Sequence, residues 1–256
     1  MIPLKDNIPT DRFPLVTVGL ILANVVVYLL AVAHGGSLIS GPGAHEIYRY
    51  GAIPYALTHP GEHCGVVRTM TSEFACTRQG GLVSGLPWWQ TVFTSMFMHA
   101  SILHIAGNLL FLWIFGNNVE DSMGSLKFLG FYVLGGIAAL ALQSAVGPQA
   151  IAPTVGASGA IAAVLGGYIV LYPRARILSL VFIILFFTVI ELPALLMLGL
   201  WFAEQAVFGA AGLTSTSVSG VAYFAHVGGF VFGALTIRWL ASGRKAVPPS
   251  RVVAAR

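Results

Sequence analysis

Four polar residues lie in otherwise apolar stretches and could together carry out acyl-transfer chemistry: Ser158, His226, His104 and Asn108. A serine hydroxyl becomes a nucleophile when a nearby histidine accepts its proton. His104 and Asn108 are one helical turn apart and project from the same helix face, where their N–H groups could stabilise an oxyanion. Taken singly, a serine in a Gly/Ala-rich segment is more often a packing residue. A catalytic interpretation therefore requires that the fold bring the four together.

The apolar stretches that carry these residues have the length of membrane-spanning helices, which need about 20 apolar residues. Six spans can be drawn, at about 14–33, 100–117, 126–146, 156–172, 192–208 and 220–240. The first is longer than the apolar core of a signal peptide, which favours a retained helix. A loop of about 34–92 follows it. Residues 177–189 are assigned to an interfacial or tilted segment, because Glu191 and Pro193 indicate a new helix start.

The composition agrees with an integral membrane protein of one compact domain. The 256 residues are 57% apolar and 9% charged, against about 25% charged in soluble domains, and the mean hydropathy is +0.84. The pI of 9.3 comes without a basic cluster dense enough to follow a nucleic-acid backbone, so no nucleic-acid partner is expected.

The distribution of Lys and Arg predicts the orientation. With six spans both termini share one side, and ten of the 13 basic residues fall there: Lys5, Arg12, Lys127, Arg174, Arg176, Arg238, Arg244, Lys245, Arg251 and Arg256. The opposite side receives Arg49, Arg68 and Arg78. Cytoplasmic loops carry the excess of basic residues, so both termini are predicted to be cytoplasmic.

The candidate residues are predicted to lie at one depth. His104, Ser158 and His226 fall near the starts of spans two, four and six, all of which run from outside to inside in this topology. Small residues recur at every fourth position in spans four and six: Gly159, Ala163 and Gly167 in one, Ala225, Gly229 and Gly233 in the other. Such spacing lets helix backbones approach closely in lipid, which would carry Ser158 to His226.

The two cysteines, Cys64 and Cys76, both lie in the long loop. Their spacing is not that of a zinc site, so no metal is expected. If the loop faces an oxidising compartment they could form a disulfide; two free surface thiols are the alternative.

Three motifs in order, HASILHIAGN at 99–108, GASGA at 156–160 and AHVGG at 225–229, resemble those of the rhomboid intramembrane serine proteases, bacterial type. The resemblance covers about residues 10–240. It implies an all-α integral membrane protein, a six-transmembrane-helix bundle that cleaves transmembrane segments of membrane proteins near the external membrane boundary. The predicted organisation is a cytoplasmic N-terminus (1–13), the protease domain (14–240) with its loop insert, and a cytoplasmic tail (241–256).

The resemblance also implies a role for individual residues. Ser158 would be the nucleophile and His226 the general base, while His104, Asn108 and the Ser158 N–H would form the oxyanion hole. Five residues would support the site: Gly156, Gly159, Gly229, Glu120, which would hold loop and helix ends, and Trp201, which could belong to a lateral gate for substrate helices. His99 is given a supporting role at most.

Two positions depart from the family pattern. A Trp-Arg pair of the first external loop is here Trp89-Gln90, which puts a structural loop contact in doubt. An aromatic residue four positions after the nucleophile, which stacks on the catalytic histidine, is here Ala162. The orientation of His226 would then rely on other neighbours.

Two other functions compete with the protease. One is a non-catalytic rhomboid-like protein that binds transmembrane helices, although such relatives typically lose the serine or the histidine. The other is a small transporter with Glu191 and Glu204 as ion sites, which predicts inverted repeats that the sequence does not show. The protease requires no cofactor, and its partners would be transmembrane substrates and the lipid bilayer, with the oligomeric state left open. The expected location is a bacterial plasma membrane, with the site opening to the outside.

Overall fold

The computed structural model of the chain describes residues 1–59, 61–67, 74–77, 82–83, 86–183, 186–213 and 220–241. Most of the predicted tail, 241–256, lies outside these residues. So do six of the basic residues that predict the orientation: Arg68, Arg78, Arg244, Lys245, Arg251 and Arg256. The orientation of the chain therefore stays a prediction.

Helices form most of the described chain. They are α1 (Leu15–Ala33), α2 (Ala44–Tyr50), α3 (Pro54–Thr58), α4 (Trp88–Thr94), α5 (Ile102–Phe111), α6 (Asn117–Met123), α7 (Ser125–Val146), α8 (Ser158–Leu171), α9 (Ala194–Gly212) and α10 (Tyr223–Leu240). A π-helical turn, Leu112–Gly116, joins α5 and α6 into one continuous helix. Such turns are frequent at functional sites, and this one follows the turn that carries Asn108.

Each predicted span corresponds to a helix. Among the described residues, four helical units are long and apolar enough to cross a membrane: Leu15–Ala33, Ile102–Met123, Ser125–Val146 and Ala194–Gly212. The apolar α8 is shorter, with 14 residues, and α10 has 18. The predicted class, an all-α membrane protein, is confirmed, while the count of six spans remains a prediction.

The segment predicted as interfacial, 177–189, is a β-hairpin instead. Strands β7 (Arg176–Ile183) and β8 (Phe186–Pro193) pair antiparallel, and β1 (Ile2–Asp6) pairs with the other edge of β7. The run is rich in β-branched and aromatic residues, which favour strands, and Ile177 and Ser179 are buried while their neighbours are partly exposed. Glu191 lies in β8, so the predicted acidic first turn is wrong: α9 begins at Ala194, after Pro193.

The long loop contains local structure of its own. It includes helices α2, α3 and α4 and the short strands β2 (Gly36–Ser37), β3 (Gly41–Pro42), β4 (His63–Val67), β5 (Phe74–Thr77) and β6 (Leu82–Val83). Cys64 in β4 and Cys76 in β5 are directly paired and joined by a disulfide. The adjoining Trp89 and Gln90 lie in α4, where the Trp89 side chain is exposed.

Helix α8 lies at the centre of the core. Gly and Ala residues are interspersed with larger apolar ones along it, and Gly159 through Tyr168 are all buried. It packs most closely on α10 and next on α7. Side chains added at Gly229 or Gly233 would overlap the backbone carbonyls of Gly159 and Ala163, respectively. The predicted approach of spans four and six through small residues is therefore present.

Candidate active site

Ser158 is the first residue of α8, and backbone hydrogen bonds fix the segment that leads into it. Thr154 and Ala52 exchange two such bonds, of 3.0 and 2.7 Å. The N–H of Gly156 donates to the carbonyl of Ser95 at 2.9 Å. Because both anchors lie outside α8, the position of the Ser158 hydroxyl is set by the surrounding loop as well as by the helix.

Gly156 allows the turn that precedes the serine. Its φ of +122° is a conformation that glycine adopts readily and other residues do not. A Cβ at this position would lie 2.7 Å from Nε2 of His104. The absence of a side chain at Gly156 therefore lets the His104 ring approach the serine.

The close packing of α8 on α10 brings Ser158 and His226 together. The distance between Ser158 Oγ and His226 Nε2 is 2.8 Å, within hydrogen-bonding range. Gly159 lies between α7 and α10: a Cβ there would lie 2.7 Å from that of Ala139 and 3.9 Å from that of Ala225. The predicted pair of serine and histidine is therefore in contact.

Gln205, on α9, is a polar residue of the site that the sequence reasoning missed. Its Oε1 lies 2.7 Å from Nδ1 of His226, and its side chain is buried, with 7% exposed. A carboxamide oxygen only accepts hydrogen bonds, so Nδ1 donates to it. The sequence signal that could have identified it is an amide side chain within a predicted span, since polar residues in spans are functional candidates.

His104 and Asn108 lie on α5, whose first turn is capped by Ser101. The Ser101 hydroxyl accepts a hydrogen bond from the N–H of His104 at 3.2 Å. Nδ1 of His104 accepts the N–H of Ala100 at 3.4 Å, which leaves the ring hydrogen on Nε2, the atom next to Gly156. Asn108 is buried, and its Nδ2 has no hydrogen-bond partner among the described residues.

His99 is completely buried beneath the turn that precedes α8. Its Nδ1 lies 3.2 Å from the Phe97 carbonyl, and its Nε2 accepts the N–H of Ala157 at 3.5 Å. The ring also meets His104 edge-on, with centroids 5.0 Å apart. His99 thus contacts the segments that carry the candidate residues and not the serine hydroxyl.

A cavity of about 590 Å³ adjoins these residues. It is lined by α5, by residues 154–156, and by parts of α7, α8, α9 and α10. Ser158, His226, His104 and Asn108 all contribute to its wall. All four predicted candidates therefore line one space.

Trp201, which could belong to a lateral gate by the family resemblance, lies beside His226. Its ring centroid is 5.7 Å from that of the imidazole, at an interplanar angle of 37°, and it also lines the cavity. Ala162, the position where an aromatic residue was expected, is completely buried in α8. The aromatic neighbour of the histidine thus comes from α9.

Glu120 lies away from the cavity and joins helix ends. Its carboxylate accepts hydrogen bonds from the backbone N–H groups of Val16 and Thr17, at 3.0 and 2.8 Å, and from the Thr17 hydroxyl at 2.8 Å. The Ser125 hydroxyl donates to it at 2.6 Å. Since α1 has no cap of its own, Glu120 caps it from α6. The Cys64–Cys76 disulfide is likewise outside the set of cavity-lining residues.

The described residues include no group of three or more His, Cys, Asp or Glu side chains placed to hold a metal ion.

Comparisons with known proteins agree with the motifs. The model of the Rhomboid domain matches residues 87–243. Rhomboid protein 1, mitochondrial, of Saccharomyces cerevisiae is 30% identical over 57% of this chain and 40% of its own. Rhomboid protease GluP of Bacillus subtilis is 34% identical over 44% of this chain and 22% of its own length. Rhomboid-like protein 11, chloroplastic, of Arabidopsis thaliana is 38% identical over 31% of this chain and 28% of its own length.

The matches span less than half of the length of these relatives. The Rhomboid domain itself extends from just before α4 to the end of α10 and so includes every residue that lines the cavity. The chain belongs to the rhomboid family.

Proposed function

We propose that the protein is an intramembrane serine endopeptidase that cleaves transmembrane segments of other membrane proteins. The observation that carries this proposal is the 2.8 Å contact between Ser158 Oγ and His226 Nε2, beside a cavity that His104 and Asn108 also line. Membership of the rhomboid family supports it, as does the printed name of the relative rhomboid protease GluP.

In the first half of the reaction, Ser158 Oγ attacks the carbonyl carbon of the scissile peptide bond. His226 Nε2 takes the hydroxyl proton as the new C–O bond forms. The tetrahedral intermediate then collapses: the C–N bond breaks, and His226 returns the proton to the leaving nitrogen. The products are a free amine and an acyl ester on Ser158.

In the second half, water replaces the amine. His226 Nε2 removes a proton from the water as its oxygen attacks the ester carbonyl. Collapse of the second tetrahedral intermediate returns the proton to Ser158 Oγ and releases a carboxylic acid. The reaction therefore balances with protein groups and water alone.

Three donors are available for the negative oxygen of each intermediate. His104 and Asn108 both line the cavity. Nε2–H of His104 and the buried Nδ2 of Asn108 have no hydrogen-bond acceptor among the described residues. The N–H of Ser158 belongs to the first turn of α8, where backbone donors have no partner within the helix. Donors already in place at a developing oxyanion stabilise the transition state without reorganisation.

The depth at which the substrate would be cleaved follows from the predicted topology. With both termini cytoplasmic, the starts of α5, α8 and α10 lie towards the outer surface, so cleavage would occur near the external membrane boundary. The excess of basic residues on the terminal side supports this orientation. We propose a bacterial plasma membrane as the location; two of the relatives are named as mitochondrial and chloroplastic.

The proposal is tested with purified protein in detergent and a model transmembrane substrate. Ser158→Ala and His226→Ala should each reduce cleavage by about 10³-fold or more, as loss of a nucleophile or base does in serine proteases. Ser144→Ala is the matched control, since it removes another buried serine hydroxyl, on α7 and outside the cavity wall. This variant should cleave at the wild-type rate.

A fluorophosphonate probe supplies an independent measurement. It should label the wild type and Ser144→Ala but not Ser158→Ala, and the modified peptide should contain residue 158. Cleavage that survives Ser158→Ala would refute the protease. A folded wild type that neither cleaves nor takes up the probe would instead favour a non-catalytic protein that binds transmembrane helices.

A further inference from the structure

His226 contacts α9 through two side chains that are one helical turn apart. Gln205 and Trp201 occupy the same face of that helix, since residues four apart are neighbours on its surface. Gln205 Oε1 lies 2.7 Å from Nδ1 of His226. The centroid of the Trp201 ring lies 5.7 Å from that of the imidazole. Gln205 therefore contacts the ring nitrogen that faces away from Ser158, and Trp201 packs beside the ring.

The Gln205 contact distinguishes the two neutral tautomers of His226. A neutral imidazole carries one N–H, and its other nitrogen is an acceptor. Both tautomers can form a hydrogen bond with the Ser158 hydroxyl, but only the Nδ1–H form has a lone pair on Nε2 to accept the serine proton. Because Gln205 Oε1 is an acceptor, it favours the Nδ1–H form.

Helix α8 does not provide an aromatic side chain at position 162 that could orient the His226 ring. The side chain of Ala162 is completely buried, and its Cβ would lie only 3.2 Å from a Cβ added at Gly229. Helices α8 and α10 are therefore too close at this level to admit an aromatic ring between them. The groups that orient His226 must come from another element, and α9 provides them.

We propose that Gln205 is a positioning residue that holds His226 in the Nδ1–H tautomer, with Trp201 packed beside the ring. This inference rests on the proposed protease function. Gln205 acts through His226 and does not contact the reacting atoms. Of the described titratable groups, His104 faces His226 across the cavity, and its Nδ1 is already bonded to the N–H of Ala100.

The tautomer can be observed without measuring activity. Protein labelled with ¹⁵N at histidine should show a protonated Nδ1 and an unprotonated Nε2 for His226, assigned by the loss of its signals in His226→Ala. Gln205→Leu should populate the Nε2–H form. Gln205→Glu keeps an acceptor oxygen and should retain the wild-type signature. A wild-type His226 with its proton on Nε2 would overturn the proposal directly.

Kinetics supply the second readout, with Gln143→Leu as the matched control. Gln143 is a partly buried glutamine that also bonds to α10, since its Oε1 accepts the N–H of Ala225 at 3.1 Å, but it does not contact the imidazole. Gln205→Leu should lower kcat about 10-fold, the factor that one hydrogen bond contributes to an equilibrium, and leave KM unchanged. Gln205→Glu should retain more activity than Gln205→Leu.

The outcomes separate this inference from the proposed function. If Gln143→Leu lowers kcat as much as Gln205→Leu, the loss of kcat results from disturbed helix packing, and the positioning role is wrong. It is also wrong if Gln205→Leu keeps both the wild-type kcat and the wild-type ¹⁵N shifts. If the wild type does not cleave at all, the protease function fails, while the tautomer spectra still test the role of Gln205.

Discussion

At the scale of single residues, the site depends on two histidines that hold their protons on opposite nitrogens. A backbone N–H donates to Nδ1 of His104, which leaves Nε2–H as a donor. At His226, Gln205 accepts from Nδ1, which leaves Nε2 as an acceptor for Ser158. In the proposed mechanism the same residue type would therefore serve as an oxyanion donor in one place and as a base in the other, because the hydrogen-bond partners of the two rings differ.

Replacing Gly156 should test the position of His104. Gly156→Ala would force a side chain into a φ of +122° and place its Cβ 2.7 Å from His104 Nε2. We expect a strain of about 1–3 kcal/mol and a loss of activity of about 10²-fold, as when one oxyanion donor is removed. The measurements are thermal unfolding in detergent and cleavage of the model substrate.

Gly124→Ala is the control for backbone strain alone. Gly124 also has a positive φ, of +85°, but an added Cβ there meets nothing within 4 Å. It should lose stability and keep its activity when folded. Equal activity losses in the two variants would show that strain, and not contact with His104, explains the effect at Gly156.

The residues that could be predicted from the sequence are those whose type is unusual for their surroundings. Ser158, His226, His104 and Asn108 are polar groups in apolar spans, and the predicted depth of the spans brought them together. Gln205 is equally polar, but its role depends on a contact across two helices that no spacing along the chain reveals. The location of Trp201 beside the imidazole depends on the same contact.

At the scale of elements, helices were easier to predict than the hairpin of β7 and β8. Short apolar runs do not distinguish a strand from a buried helix, and the hairpin is completed by β1, which lies more than 160 residues earlier in the chain. The close contact of α8 and α10 was predictable because small residues recur at helical spacing in both spans.

That contact makes Gly229 a specific test of the α8–α10 interface. In Gly229→Ala the new methyl group would overlap the carbonyl oxygen of Gly159, so the two helices must separate. Overpacking of this kind costs about 1–3 kcal/mol, and the separation should also lengthen the contact between Ser158 and His226. We expect a lower Tm and slower labelling of Ser158 by the fluorophosphonate probe.

Gly199→Ala on α9 is the matched control, because an added Cβ there meets nothing within 4 Å. It should label at the wild-type rate with an unchanged or higher Tm, since alanine favours helix over glycine. Wild-type stability and labelling in Gly229→Ala would contradict the close approach of α8 and α10.

At the scale of the whole molecule, the residues before α1 belong to the folded unit. Strand β1 pairs with β7, and Asp6 at its end accepts hydrogen bonds from Asn118 at 2.7 Å and Tyr168 at 2.6 Å. Asp6 thus ties the N-terminal strand to α6 and α8. The sequence identified this segment only as a terminus, because its partners lie far along the chain.

Asp6 should make the stability of the whole protein depend on pH. Burial raises the pKa of Asp6 from 3.8 to about 6, although its hydrogen bond to Tyr168 acts in the opposite direction. In the unfolded chain the carboxyl loses its proton near pH 4, whereas in the folded protein it keeps the proton until about pH 6. The free energy of unfolding should therefore fall as the pH rises from about 4 to about 6, by at most on the order of 3 kcal/mol.

The comparison of wild type with Asp6→Asn isolates this effect, because asparagine keeps an acceptor oxygen and cannot titrate. In detergent, the Tm of Asp6→Asn should exceed that of the wild type at pH 7.5 (about 1.5 units above the folded pKa), and the difference should shrink at pH 4.5. Asp11→Asn removes a carboxylate from an exposed position in the same segment and controls for the change in net charge. If the Tm curves of Asp6→Asn and the wild type run parallel, Asp6 does not carry the pH dependence. A larger difference at pH 4.5 than at pH 7.5 would mean that the folded protein favours the ionised carboxylate.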